Sequence, residues 1–444
     1  MTAASVTAGR GPASAPAWFG GVYRAELEKL LAQLATRLLT VICAFGPLAF
    51  AAVLKVQSGT PSDALFGFWV HTSGFAIALV VLGFAGSWGF PLMAGILAGD
   101  LFASEDRYGT WKTVLTRSCT REDLFAGKVM AAMTFAAGLL VLTALSSLVA
   151  GLVLVGDQPL IDLSGVVLSS GRCLVLVLVS WLLCLLPMLA YTSVAVLCST
   201  ATRNGIVGVL GPILVALVTQ LLDLIGRGIW AHMLLIGSAF DGWHGLFTTH
   251  PFYGPLVVSS IVSLIWIGAC LTASGLILKR RDFLGTSQTR RSGWLTAIRV
   301  VVATAVLITA LALAANLGPV GVTAARLDAA IGPEFNSVTL QQQQLIGRAV
   351  PAGARLAIIP SCNRHASKPE GPGDWTCNLA VYLPQPRAVP YQRSIVDYDV
   401  SVQSNGCYKA QSPPAFVGGQ TMRAADGQDV ANPLFVVYGC FNTL

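Results

Sequence analysis

The chain has 444 residues, 54% of them hydrophobic and only 11% charged, whereas a soluble protein carries about 25% charged residues. The deficit lies mainly in 38–316, while 338–384 and 393–410 have an ordinary balance. This excludes one large soluble core and predicts a membrane bundle with a separate polar domain. The net charge of +7 is spread over short segments beside apolar runs, not gathered on a polar face, which argues for membrane orientation and against nucleic acid as a partner.

In chain order, residues 1–20 are rich in Ala, Gly, Ser and Pro and read as disordered. The first long apolar run begins near Leu38 and has the flanks of a permanent anchor, not of a cleaved leader. Ahead of it, 21–37 place Leu27, Leu30, Leu31, Leu34 and Leu38 at helical spacing, with Arg24, Glu28, Lys29 and Arg37 on other faces. That is the pattern of an amphipathic helix in the headgroup region; a cytoplasmic extension of the first span is the other reading.

Seven spanning helices are predicted: Leu38–Leu54, Phe75–Leu97, Val129–Val155, Val167–Leu197, Ile206–Ile225, Leu256–Leu278 and Leu295–Ala315. Each approaches or exceeds the roughly 20 residues that cross a bilayer core. Alternate short loops collect the basic residues: Arg24, Lys29 and Arg37, then Arg107 to Lys128, then Arg203, then Lys279 to Arg299. The intervening loops hold only Lys55, Arg172 and Arg227 beside Asp63, Asp157, Asp162 and Asp241. The basic side is expected in the cytoplasm, which makes this a multi-pass inner-membrane protein with its N-terminus inside and 317–444 outside.

Cysteine placement agrees. Six cysteines lie in or beside the spans, where a thiol acts as a small apolar filler, and four lie in the tail. An even number in an oxidising compartment predicts two disulfides. Of the three possible pairings, Cys362–Cys377 and Cys407–Cys440 are favoured because each would join neighbouring strands. Four free thiols in a cytoplasmic tail would need an even number of spans.

Residues 99–128 form the longest charged loop on the basic side. Gly109 allows a tight turn, and Thr110 is placed to cap a short helix from Trp111 to Leu115. Glu105 and Asp106 offer acidic contacts, and Arg107, Lys112, Arg117 and Arg121 basic ones; a solvated loop that only fixes topology is the plainer reading. The segment resembles the loop of ABC-2-type transporter permeases, in which the second span is followed by Glu, Gly-Thr, Leu-Thr-Arg-Pro, Ser-Arg and Gly-Lys. The matching positions are Glu105, Gly109, Thr110, Leu115, Thr116, Arg117, Arg121, Gly127 and Lys128, with Thr120 for the usual Ser, Ser118 for the usual Pro and Cys119 in the small position. The helix at 21–37, with Glu26, Leu27, Leu30 and Leu34, resembles the family's elbow helix.

The resemblance covers about 22–282. It implies an all-α bundle, a six-span permease domain over 38–282, here followed by a basic linker and seventh span (283–316) and a small outer domain (317–444). It also implies that Glu105, Asp106, Arg107, Tyr108, Gly109, Thr110, Trp111, Arg117 and Arg121 meet a separate ABC ATPase, present in two copies. That motor would bind ATP and Mg, and a second permease half, identical or related, would complete the assembly in the lipid. The chain is not expected to be an enzyme itself. Its Gly127-Lys128 pair is followed by Val129, and Glu122 stands where a phosphate loop needs Gly.

Between spans five and six, 226–254 are apolar, and Trp230, Trp243 and Phe247 read either as an outer gate or as interfacial anchors. The spans carry few ionisable groups (Asp223 and Arg172 sit near their ends), which argues against ion-driven transport and for hydrophobic or amphipathic cargo. The histidines show no metal-ligand spacing. In the tail, a helix is expected at 339–350, strands at 354–361, 376–383, 395–403 and 433–439, and a hairpin turn at Ser404-Asn405-Gly406, giving a small α+β or mainly β domain. The reading from another class is a non-transporting sensor or resistance protein with an outer receptor domain.

Overall fold

The computed structural model describes residues 15–56, 64–111, 120–225, 235–281, 290–314, 321–350, 353, 355–366, 369–383, 392–403 and 405–442. Helix α1 (Ala15–Ala32) is followed without a loop by α2 (Leu34–Val56). The join is made by side chains from the first turn of α2. Thr36 Oγ1 donates to the carbonyls of Leu30 and Gln33, and Arg37 Nε donates to Leu31 at 2.9 Å, so the last acceptors of α1 are satisfied where the axis turns. Two expectations change here. Residues 15–20 are helical, not disordered, as their alanines permit. The elbow ends at Ala32, which transfers Leu34 to the first span, where it is 71% exposed.

Five segments are long and apolar enough to cross a membrane: Leu34–Val56, Gly74–Tyr108, Arg121–Leu154, Ser170–Thr202 and Gly254–Lys279. Two further apolar helices, Gly205–Leu221 and Leu295–Ala310, are shorter over the residues searched. The second segment is α3 (Gly74–Phe84), a π turn (Ala85–Gly89) and α4 (Phe90–Ala98), followed by the short α5 (Ala103–Tyr108). The third, α6 (Arg121–Leu154), begins two turns earlier than its apolar run. Thr120 accepts from the Asp123 amide at 3.1 Å, and Glu122 and Asp123 stand in the first turn beside its positive end.

The fourth span departs most from expectation. Val167 and Leu168 are not helical; they form β2 and pair with β1 (Leu160–Ile161). Asp162 closes this hairpin by accepting from the amides of Ser164 and Val166, both at 2.8 Å. The helix then runs as α7 (Ser170–Leu183) and α8 (Leu185–Thr202), broken at Cys184 because Pro187 has no N–H for the Leu183 carbonyl. After α9 (Gly205–Ile225), two 3₁₀ turns, Ser238–Asp241 and His244–Phe247, lead to α10 (Gly254–Lys279) and α11 (Arg290–Ala314).

The C-terminal domain is α12 (Ala324–Leu345) on an antiparallel sheet ordered β3-β4-β5-β6-β9. Its strands are β3 (Ala357–Arg364), β4 (Gly373–Leu383), β5 (Gln392–Val402), β6 (Cys407–Gln411) and β9 (Val436–Cys440); β7 (Thr421–Arg423) and β8 (Asp429–Ala431) pair separately. The helix lies earlier than the expected 339–350 and is longer. Gly332-Pro333 looks locally like a breaker, yet Leu327, Ile331, Phe335 and Val338 form one buried stripe on the sheet. Both favoured disulfides are present, each between directly opposed strand residues. They sit on opposite faces: Cys362–Cys377 under α12, and Cys407–Cys440 on the face turned to the bundle.

That face docks on the loops at the bundle end away from α5. Phe435 stacks on Phe68 at 6.0 Å, and the Tyr438 hydroxyl accepts from the Phe68 amide at 3.2 Å and donates to the Ala64 carbonyl at 3.4 Å. Between them Phe66 is fully buried at φ 64°, a left-handed conformation that costs a non-glycine residue about 1–3 kcal/mol. Its ring lies against Trp243, Phe247 and Tyr438. Tyr438→Phe removes both hydrogen bonds and keeps the ring, so it should lower the stability of the joint by about 1–2 kcal/mol. Faster hydrogen exchange at Gly67–Trp69, with α8 unchanged, is the expected readout.

Candidate functional site

At the basic end of the bundle, three helices meet around one lysine. Lys128, on α6, has no exposed side-chain surface and pairs with Glu26 of α1 at 2.8 Å and with Glu105 of α5 at 3.0 Å. Glu105 also receives Lys29 of α1 at 2.7 Å and the Thr110 hydroxyl. An ammonium taken wholly out of water needs such partners, and here each carboxylate comes from a different helix. Burial alone would raise the Glu105 carboxyl. The Lys128 charge and the bonds from Lys29 and Thr110 outweigh it and bring the group, which lies past the apolar stretch of its segment, down to about 2.

The backbone is shaped to allow this. Gly127, the residue before Lys128, faces α1 so closely that a Cβ there would sit 2.6 Å from Val22 Cγ1. Its lack of a side chain brings the elbow helix within reach of the lysine. Gly109 ends α5 in the left-handed region (φ 65°), and the Thr110 amide returns to the Glu105 carbonyl at 3.1 Å.

The surrounding contacts extend the same body. Ser199 at the end of α8 accepts from the amides of Phe102 and Ala103, both at 3.1 Å. Asp106 receives Trp111 Nε1 at 3.0 Å and the Arg281 guanidinium, which also lies over the Trp111 ring at 5.5 Å. Arg121 donates to the carbonyls of Lys279 and Arg281 at 3.0 and 3.2 Å, closing the C-terminal end of α10.

These positions revise part of the sequence reading. Glu105 and Asp106, offered there as contacts for a partner, are turned inward and engaged by Lys128 and Arg281. Trp111 is buried and Thr110 half-buried; among the described residues from 99 to 111, the exposed ones are Arg107, Tyr108 and Gly109, with Arg107 paired to Asp100 at 2.6 Å. In the elbow, Leu30 is buried, Leu27 half-buried, and Glu26 belongs to the lysine site. Arg117 and the expected helix beyond Trp111 lie outside the described residues, as does Trp230. Trp243 and Phe247 are buried at the opposite end beneath Phe66 and the C-terminal sheet. The sequence reading did not find the roles of Ser199 and Arg281. Lys128 was noted only as part of a motif, although a lone Lys entering an apolar helix was itself a signal.

Lys128→Ala leaves Glu26 without its lysine and Glu105 with only Lys29 and Thr110, and should cost about 3–5 kcal/mol, seen as a lower thermal midpoint, whereas Lys29→Ala, at a half-exposed position, should cost far less. Because Glu105 is depressed in the fold, its stabilising contribution is complete above about 4.5 and is lost as pH falls toward about 2. Residues 24–222 match the family model described as ABC-2 family transporter protein, a span from the elbow helix through α9 that contains the whole lysine site. No curated protein matches the chain. Members of this family are membrane permeases that associate with an ABC ATPase, and the region from Arg24 to Leu222 accordingly matches the permease domain of ABC-2-type transporters.

Proposed function

We propose that the chain is the membrane half of an ATP-driven exporter, moving hydrophobic or amphipathic cargo such as a drug, a lipid-linked molecule or an amphipathic peptide. The observation that carries this reading is the lysine site: α1, α5 and α6 share one buried charge cluster, while Arg107, Tyr108 and Gly109 project from it. A push on that tip cannot be absorbed locally. It passes through Glu105 to Lys128 and Glu26, and so to the elbow helix and the third span together.

In this reading the basic end lies in the cytoplasm of an inner-membrane protein, all seven apolar helices cross, and the sheet domain is extracytoplasmic. The tip enters a cleft of an ABC ATPase, which binds ATP and Mg in two copies, while this chain hydrolyses nothing. A second permease half, identical or related, completes the path. Trp243 and Phe247 form part of an outer closure, held by Phe66 beneath the outer domain.

The test is the double variant Arg107→Glu, Tyr108→Ala in the complex reconstituted with its motor in liposomes. Both side chains are exposed, so membrane insertion and thermal midpoint should stay within experimental scatter while ATP-driven cargo movement falls about tenfold or more, an energetic loss of about 1.4 kcal/mol. Native transport rates in that variant, or failure of any ABC ATPase to co-purify with the native chain, would overturn the assignment.

A further inference from the structure

Glu334 is a buried carboxyl group that forms no salt bridge among the described residues. It lies on α12 with its side chain covered by β6 and β9. Its Oε2 has no hydrogen-bond partner and sits so close to Gly439 that a Cβ there would collide with it. The Tyr408 hydroxyl reaches the same point and is likewise without a partner. The remaining cover comes from the bundle. The β1–β2 turn rests on α12: a Cβ on Gly165 would be 3.0 Å from the Glu334 carbonyl oxygen and 3.1 Å from Ser337 Cβ, and Gln341 Nε2 donates to the Gly165 carbonyl at 2.8 Å. That turn brings Asp162, itself buried, toward Glu334.

We infer that Glu334 is a proton-binding site at the joint between the outer domain and the bundle, and that the outer domain is held down only while the proton is bound. The cause is electrostatic. An ionised Glu334 in the closed joint would lie within electrostatic reach of Asp162 in a medium that screens poorly, with the neutral Tyr408 hydroxyl and Gly439 backbone beside it. Arg172, at the head of α7, acts on Asp162, not on Glu334. Across the joint His244 is bonded to Asn405 at 2.9 Å, and burial depresses it to about 3, so it stays neutral. Burial, and then Asp162, push the Glu334 carboxyl well above 4.5.

The sign follows from linkage. The closed joint keeps a proton that the opened, water-exposed carboxyl has lost. Closure is therefore strongest below about 4.5 and weakens as the pH rises above it, until the buried group itself ionises. Acid on the outer side tightens the joint and alkali loosens it. The inference does not depend on what the bundle moves.

Hydrogen exchange of the full chain in lipid nanodiscs tests it, with protection taken relative to the intrinsic rate at each pH. Between pH of about 5.5 and about 8.5, protection at residues 160–168 and 436–440 should fall by up to about tenfold per unit, the limit for one proton, while α8 stays constant. In Glu334→Gln the slope should vanish; in Asp162→Asn, which leaves the carboxyl in place, protection at the alkaline end should exceed that of the native chain. A native joint whose protection does not vary with pH, a Glu334→Gln chain with the native slope, or an Asp162→Asn chain with native alkaline protection would each overturn the inference.

Discussion

The arrangement at the basic end depends on the cost of burying one ammonium group. Lys128 enters α6 where the helix is already enclosed, and it is tolerated only because Glu26 and Glu105 reach it from two other helices. Removing any of the three takes an ion pair out of a site with little water access, so the elbow helix, α5 and the third span are tied together through it. Gly127 permits the close approach, Gly109 turns the chain back toward Glu105, and Ser199, Arg121 and Arg281 tie in the ends of α8 and α10. Polar burial acts here together with an apolar cluster that includes Leu101, Phe102, Trp111, Leu124 and Val129.

The opposite end uses a different currency of contact. There the C-terminal sheet is seated on aromatic rings, Phe66, Phe68, Trp243, Phe247, Phe435 and Tyr438, with few hydrogen bonds and one buried carboxyl, Glu334, near the turn that carries Asp162. An aromatic joint tolerates small rotations that a charge cluster does not. The left-handed Phe66 shows that local strain is accepted to seat its ring. Between the two ends, the spans are interrupted by the π turn at Ala85–Gly89 and the break at Cys184. Phe240, on the 3₁₀ turn Ser238–Asp241, packs there against Phe90 at 5.3 Å and Tyr191 at 6.0 Å, so the aromatic layer at this end continues into the bundle.

What was legible in the sequence was what depends on local chemistry. Apolar runs gave the positions of the spans, because a bilayer demands about 20 apolar residues whatever their neighbours are. The elbow followed from its leucine spacing, and the strand pairing Cys362–Cys377 and Cys407–Cys440 from cysteine number and strand positions. The turn at Gly109 followed from a glycine. Errors came where distant residues override a local preference. Val167 and Leu168 read as helix and become strand because Asp162 closes a hairpin before them, and α12 runs through Gly-Pro because the sheet buries its stripe.

Composition, periodicity and charge bias by themselves determined a helical membrane bundle, an amphipathic entry helix, a charged loop behind the second span and a disulfide-tied domain after the last. Each of these rests on contacts within a few residues or on the solvent alone. Only the tertiary structure decided that Glu105 and Asp106 face inward while Arg107 and Tyr108 face out, that Lys128 joins three helices, and that Glu334 stands against the Asp162 turn. Those facts depend on partners between 23 and 176 positions apart in the chain, and burial, which sets the energy of a charge, is a property of the packed whole.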